Sequence, residues 1–212
     1  MKKLLTAAFA LAATPALAHH PLAGAPMETF KHGVLSGIGH PILGFDHLFF
    51  IIAVGIAAAF TGRALSAPLG YVAGMIGGCF LVMGGVGLPA VELMIAASLV
   101  IAGVVLMSGR ALSVTACVGL FGALGVFHGW AFGGTITGQE AGMGTSVILG
   151  YLIGLAAIQW AVAVGAGWTI ARLGAVAADA MPARLAGGMV AGAGAFLVLE
   201  AAEGAAFAAL GL

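Results

Sequence analysis

The stretch 39-GHPILGFDHLFFIIAVGIAAAF-60 decides the fold class, because from Leu48 onward it is almost uninterrupted apolar sequence. A helix that spans the hydrocarbon core of a bilayer needs about 20 apolar residues, and this stretch reaches that length. Its first turns nevertheless carry His40, Asp46 and His47, although ionisable groups are costly inside a membrane. The stretch therefore predicts a membrane helix with a functional polar group at one end.

The composition of the whole chain indicates an integral membrane protein. Of the 212 residues, 62% are hydrophobic and 7% are charged, whereas soluble domains carry about 25% charged residues. The formal net charge is zero and no basic run is present, so a nucleic-acid partner is not expected. Cys79 and Cys117 both lie in apolar runs, which predicts neither a disulfide framework nor a paired thiolate metal site.

The N-terminus has the features of a secretory signal peptide. Two lysines precede an apolar stretch and a small-x-small motif, 16-ALA-18, so cleavage is expected before His19. The chain is then expected to divide into a signal peptide (1–18), an external N-terminal segment (19–39) with a short interfacial helix around 27–37, and a transmembrane domain (40–212).

The transmembrane domain is predicted to be an all-α bundle of six helices, near 41–61, 67–87, 90–108, 112–133, 146–170 and 186–210. The basic residues of the connections fall in the first, third and fifth: Arg63, Arg110, Arg172 and Arg184. Because cytoplasmic loops of membrane proteins are enriched in Lys and Arg, both termini are expected outside the cytoplasmic membrane. The 36 glycines include the spacings Gly70-x-x-x-Gly74, Gly74-x-x-x-Gly78 and Gly150-x-x-x-Gly154, which are typical of close helix packing.

Five ionisable residues from three helices are expected in the outer half of the membrane: His40, Asp46, His47, Glu92 and His128. His40 and His47 are seven residues apart, which predicts one helical face, with His47 about 10 Å deeper. Imidazole and carboxylate together suit a divalent ion such as nickel, copper, zinc or cobalt. Two simpler interpretations stay open: His40 as a helix-start residue beside Pro41, and Glu92 as a carboxylate favoured by the helix dipole.

A second group of candidate metal ligands lies outside the group of five: His19, His20, His32, Glu200 and Glu203. Glu200 and Glu203 fit either a cation or proton relay or hydrogen bonds between helices. The three histidines, with Glu28, fit either metal capture or a solvated tail.

Several motifs resemble those of the HupE/UreJ family. They are His40-Pro41-x-x-Gly44-x-Asp46-His47 followed by 54-VG-55, 127-FHGWAFG-133, the opening His20-Pro21 and 32-HGVLSGIGHP-41. The resemblance covers essentially the whole mature chain. It implies a six-helix permease for nickel, or cobalt, that is accessory to nickel hydrogenases or ureases, with metal roles for the five residues above. One departure is that Phe132 stands where many members have a second histidine, and the acidic residue is displaced to Glu140.

The expected function is therefore import of Ni²⁺, or Co²⁺, across the bacterial cytoplasmic membrane as a transported substrate, without a permanent cofactor. The partners are the metal ion and the lipid bilayer, and a homo-oligomer is compatible. Two alternatives stay open, namely a non-transporting metal-binding accessory subunit and an intramembrane metal-dependent hydrolase. Against the hydrolase, His-Glu-x-x-His is missing, and Ser36, Ser98 and Ser146 have no base at a fixed spacing.

Overall fold

The computed structural model describes residues 27–138 and 144–210. Within these ranges the chain is all-helical, as predicted, with seven helices: α1 (Phe30–Leu43), α2 (Phe45–Ala59), α3 (Pro68–Met83), α4 (Val91–Met107), α5 (Val114–Thr137), α6 (Thr145–Arg172) and α7 (Met181–Leu210). The signal peptide, His19, His20 and Glu140 lie outside the described residues, so the interpretations placed on them stay predictions.

The helix predicted near 41–61 is wrong in its start and its continuity. Helix α1 begins at Phe30 and contains Pro41, and α2 follows after a bend of 84°. The break is at Gly44, whose backbone is extended (φ −85°, ψ 102°). The short helix expected around 27–37 and the first three residues of the expected span, 41–43, are therefore one element. The boundary placed between residues 39 and 40 falls inside it.

Glycine lets the helices associate as closely packed pairs. In α3, a methyl group added to Gly74 or Gly78 would overlap the backbone carbonyl oxygen of Gly122 or Val126 in α5. In α6, the same addition at Gly150 or Gly154 would overlap a carbonyl oxygen of α1. The packing role predicted for these glycines is confirmed, because only a residue without a Cβ allows such an approach.

The relative directions of the paired helices follow from the same contacts. Along α3, Gly70 faces Val118 and Gly78 faces Trp130, so α3 and α5 run parallel. Helices α1 and α2 both run parallel to α6, whereas α4 and α7 are antiparallel to each other. If α1 and α2 together form one span, these directions are those of six successive spans that run alternately inward and outward.

Three of the described helices, α5, α6 and α7, are long and apolar enough to span a membrane, and the bent pair α1–α2 adds a fourth candidate. Helices α3 and α4 have 16 and 17 residues, which corresponds to about 24–26 Å, short of a 30 Å hydrocarbon core. Large apolar side chains such as Phe45, Trp168 and Leu199 remain exposed on the helices. The chain is a helical membrane protein, and the count of six spans stays a prediction.

Helix α7 begins at Met181 rather than near 186, which places Arg184 in its first turn. There Arg184 Nε donates a hydrogen bond to the carbonyl oxygen of Met107 (3.0 Å) at the end of α4. Carbonyl groups in the last turn of a helix lack partners in the helix itself, so this contact caps α4. Arg184, which the sequence places in a connection between helices, thus also joins α4 to α7.

The glycine packing can be tested within a single helix. Gly74→Ala should destabilise the protein by about 1–3 kcal/mol, because the new methyl group forces the α3 and α5 backbones apart. Gly77→Ala in the same helix meets no atom within 4 Å and should be neutral or slightly stabilising. Thermal unfolding of both variants in detergent measures the difference, and equal melting temperatures would contradict the packing role.

Candidate metal centre

Two buried histidines from separate helices meet at the centre of the site. His47, in the first turns of α2, and His128, in α5, have their Nδ1 atoms 2.8 Å apart. His128 is fully buried and His47 is 7% exposed. Phe50 stacks on the His128 ring, with centroids 4.2 Å apart and planes inclined by 17°, so the orientation of this imidazole is fixed by packing. We refer to His47 and His128 as the histidine pair.

Ser98 of α4 extends the pair to a third helix. Its Oγ lies 2.9 Å from His128 Nε2 and donates to the carbonyl oxygen of Ile95 at 2.6 Å. Ser98 is fully buried. Sequence reasoning missed this contact because it looked for a base at a fixed spacing, whereas Ser98 and His128 are brought together by the packing of two helices.

Asp46 adjoins the pair from the solvent side. Its Oδ2 lies 3.9 Å from His47 Nε2, and its Oδ1 accepts a hydrogen bond from the His47 backbone N–H (2.8 Å). Asp46, Glu92 and Glu200 line one cavity of about 220 Å³ that lies between α2, α4 and α7. Three of the predicted carboxylates are therefore gathered in one place, next to the histidine pair.

His40 lies beside the pair and shares an aromatic neighbour with it. Its Nδ1 lies 3.1 Å from Thr135 Oγ1 and 3.3 Å from the Tyr151 hydroxyl. The fully buried Phe132 ring has its centroid 5.1 Å from that of His40 and 4.2 Å from that of His47.

The expectation that His40 and His47 share one helical face is wrong, because the break at Gly44 separates them into two helices. His40 lies in the last turn of α1 rather than at the start of the first span. The bend nevertheless returns the two rings to a centroid distance of 6.3 Å. The predicted proximity of His40 and His47 is thus found, although its cause is the bend at Gly44 and not helical periodicity.

The other candidates lie away from this centre. His32 is part of the turn that begins α1, where its Nδ1 accepts from the Glu28 backbone N–H (3.3 Å). Glu203 is exposed on the last turns of α7. Within the described residues, no three His, Cys, Asp or Glu side chains are grouped to hold one ion. The structure thus brings together two imidazoles of the predicted set, with the carboxylates beside them.

The contact of Ser98 with His128 also bears on hydrolysis. A serine nucleophile must give its proton to the base and face a substrate. Here the hydroxyl proton points to the Ile95 carbonyl oxygen, and the side chain is fully buried. The arrangement is that of a hydrogen-bonded support for His128 rather than of an activated nucleophile.

The fold and the site define a helical membrane protein with ionisable residues from several helices gathered at a common centre. Such intramembrane groups mark ion or substrate sites. The sequence model of the HupE / UreJ protein family matches residues 7–197, and the chain belongs to this family, as its motifs predicted. Protein HupE of Rhizobium leguminosarum bv. viciae is 31% identical over 205 residues, which cover 92% of this chain and 97% of that protein. No solved structure matches the chain.

Proposed function

We propose that this protein is a permease that carries a divalent transition metal, Ni²⁺ in the first place, across the cytoplasmic membrane. The observation that carries the proposal is the 2.8 Å separation of the two Nδ1 atoms in the histidine pair. Two imidazole nitrogens bound at right angles to one ion, each about 2.0–2.1 Å from it, lie about 3 Å apart. The spacing supports a shared ion, which would replace the proton between the two rings.

The groups around the pair support the same assignment. A histidine that binds metal usually donates its other ring N–H to a carboxylate, a carbonyl or another acceptor. If both rings bind through Nδ1, His47 directs Nε2 toward Asp46 and His128 directs Nε2 toward Ser98. His128 then has an acceptor at hydrogen-bond distance (2.9 Å), whereas the Asp46 carboxylate is a nearby charge, 3.9 Å from His47 Nε2.

The cavity lined by Asp46, Glu92 and Glu200 would supply an approach to the pair, because Asp46 also adjoins His47. Carboxylates in a recess surrounded by apolar walls concentrate cations there. In the orientation predicted from the basic residues, this cavity opens toward the outside. The ion would be attracted to the carboxylates, lose water, and pass to the histidine pair.

The donor set favours a divalent transition metal, and the choice of nickel or cobalt among these metals rests on the family. Imidazole suits nickel, cobalt, copper and zinc, whereas sites made only of oxygen suit magnesium and calcium. Transport also requires that the ion leave the site, so a few imidazoles and carboxylates are better suited to it than a closed thiolate cage. Membership of the HupE/UreJ family supports nickel delivery to a hydrogenase or urease as the purpose of the import.

Metal influx into proteoliposomes tests the proposal. Purified protein reconstituted around a metal-sensitive dye should admit Ni²⁺ with saturable kinetics, and Co²⁺ should compete, whereas Ca²⁺ should not. Empty liposomes give the background rate. Binding of Ni²⁺ without influx would contradict the permease and support a metal-binding accessory subunit. Turnover of lipid or peptide that depends on added metal would support a hydrolase instead.

A further inference from the structure

Ser98 determines which nitrogen of His128 carries the proton. The Ile95 carbonyl oxygen can only accept a hydrogen bond, and it lies 2.6 Å from Ser98 Oγ. The single hydroxyl proton must therefore point to Ile95. Toward His128 Nε2, 2.9 Å away, the same oxygen can only accept. His128 Nε2 is thus protonated.

The consequence for His128 is a defined tautomer. A neutral imidazole with a proton on Nε2 has its lone pair on Nδ1. This Nδ1 is the atom that lies 2.8 Å from His47 Nδ1. The lone pair is therefore directed at the place where the proposed ion binds.

We propose that Ser98 is a positioning residue, which holds His128 in the tautomer whose Nδ1 can bind metal. The inference rests on the proposed function. Ser98 is suited to this role because it is fully buried and its own proton is already committed to the helix backbone. Water therefore does not compete for the bond to His128, and the serine cannot reverse the direction of that bond.

Replacing Ser98 removes the acceptor but none of the metal ligands. In Ser98→Ala, His128 Nε2 loses its partner, and the proton is free to move to Nδ1, where it blocks metal binding. Loss of an outer partner of a ligating histidine typically weakens metal affinity by about 10–100-fold. Ser98→Cys keeps a similar volume but offers a weaker acceptor. We therefore expect it to shift the His128 tautomer and lower the metal affinity in the same direction, but by less.

Ser108 provides a matched control. Its hydroxyl makes the same kind of bond, to the Val105 carbonyl oxygen three residues earlier (2.7 Å), at the exposed end of α4. It has no histidine partner among the described residues. Ser108→Ala therefore loses an equivalent helix contact and should leave both the tautomer and the metal affinity unchanged.

The test combines two measurements on full-length protein in detergent. Nitrogen NMR of ¹⁵N-histidine-labelled, metal-free protein reports the tautomer of His128, with its signal assigned by a His128→Asn variant. Titration with Ni²⁺ reports the affinity. The unmutated protein should show His128 protonated at Nε2, and Ser98→Ala should show exchange between tautomers with an affinity reduced by about 10–100-fold.

The outcomes separate the two proposals. A His128 that stays protonated at Nε2 in Ser98→Ala, with unchanged Ni²⁺ affinity, would overturn the role of Ser98 and leave the permease intact. Failure of the unmutated protein to bind Ni²⁺ would overturn the proposed function itself. If Ser98→Ala does not fold, Ser98→Cys decides the role of Ser98 by the same two readouts.

Discussion

Nickel uptake should fall by about a hundredfold or more when His47 is replaced by alanine, and similarly when Asp46 is replaced by asparagine. His47 supplies one of the two paired Nδ1 atoms, and Asp46 lies against its other ring nitrogen. Loss of one contact from a site with few ligands costs several kcal/mol, and about 2.7 kcal/mol already corresponds to a hundredfold change in affinity. Uptake of radioactive nickel at limiting concentration, in cells or proteoliposomes, measures the effect.

Matched controls separate this effect from a general loss of folding. Asp179→Asn makes the same charge change at an exposed residue that precedes α7, and His32→Ala removes an imidazole at the start of α1. Both variants should retain uptake. The amounts of inserted protein should be equal in all four variants, because the two site mutations remove polar groups from a membrane environment. Normal uptake by His47→Ala at limiting nickel would show that the pair is not the binding site.

Replacing Phe132 by histidine should tighten nickel binding by about tenfold or more, equivalent to at least about 1.4 kcal/mol. The Phe132 ring packs against both His40 and His47. An imidazole at this position would add a ligand next to the histidine pair. Tighter binding slows release, so the maximal transport rate should fall while the half-saturating concentration decreases. Equilibrium titration and influx kinetics on the same preparation measure both effects.

Phe132→Leu is the control for this substitution, since it changes the shape of the packing without adding a ligand atom. It should leave nickel affinity close to that of the unmutated protein, with a loss of stability from incomplete filling of the space. Equal affinities of Phe132→His and Phe132→Leu would show that position 132 does not face the ion. In that case Phe132 has only a packing role.

The sequence predicts the helices well because their apolar length and glycine spacing are local properties. Membrane location, helical class and the packing glycines all follow from such patterns. The break at Gly44 is different. A glycine is also compatible with a continuous helix, so the residue type alone does not predict that the chain bends there. The start of α1 was missed because Pro41 was read as the first residue of a helix, whereas it lies inside one.

The residues of the candidate site could be predicted by type, but their contacts only in part. Intramembrane His and Asp residues are costly, so their presence alone pointed to His47 and His128. Their partners were not visible in the same way. Ser98, Thr135 and Tyr151 are common residues in membrane helices, and their hydrogen bonds to histidines depend on how distant helices pack. The position of the Phe132 ring beside both His40 and His47 depends likewise on helix packing.

The close packing of helices at glycines determines which movements can reach the histidine pair. His47 belongs to the unit formed by α1, α2 and α6, His128 to the unit of α3 and α5, and Ser98 to the unit of α4 and α7. Backbones in direct contact within a unit leave little room for internal sliding, so motion is confined to the boundaries between units. Any such displacement stretches the bond between Ser98 and His128 or separates the two rings. An ion held by the histidine pair would therefore link the first two units, while the Ser98 bond links the third to them. Arrival and release of the ion would be coupled to the relative movement of the units.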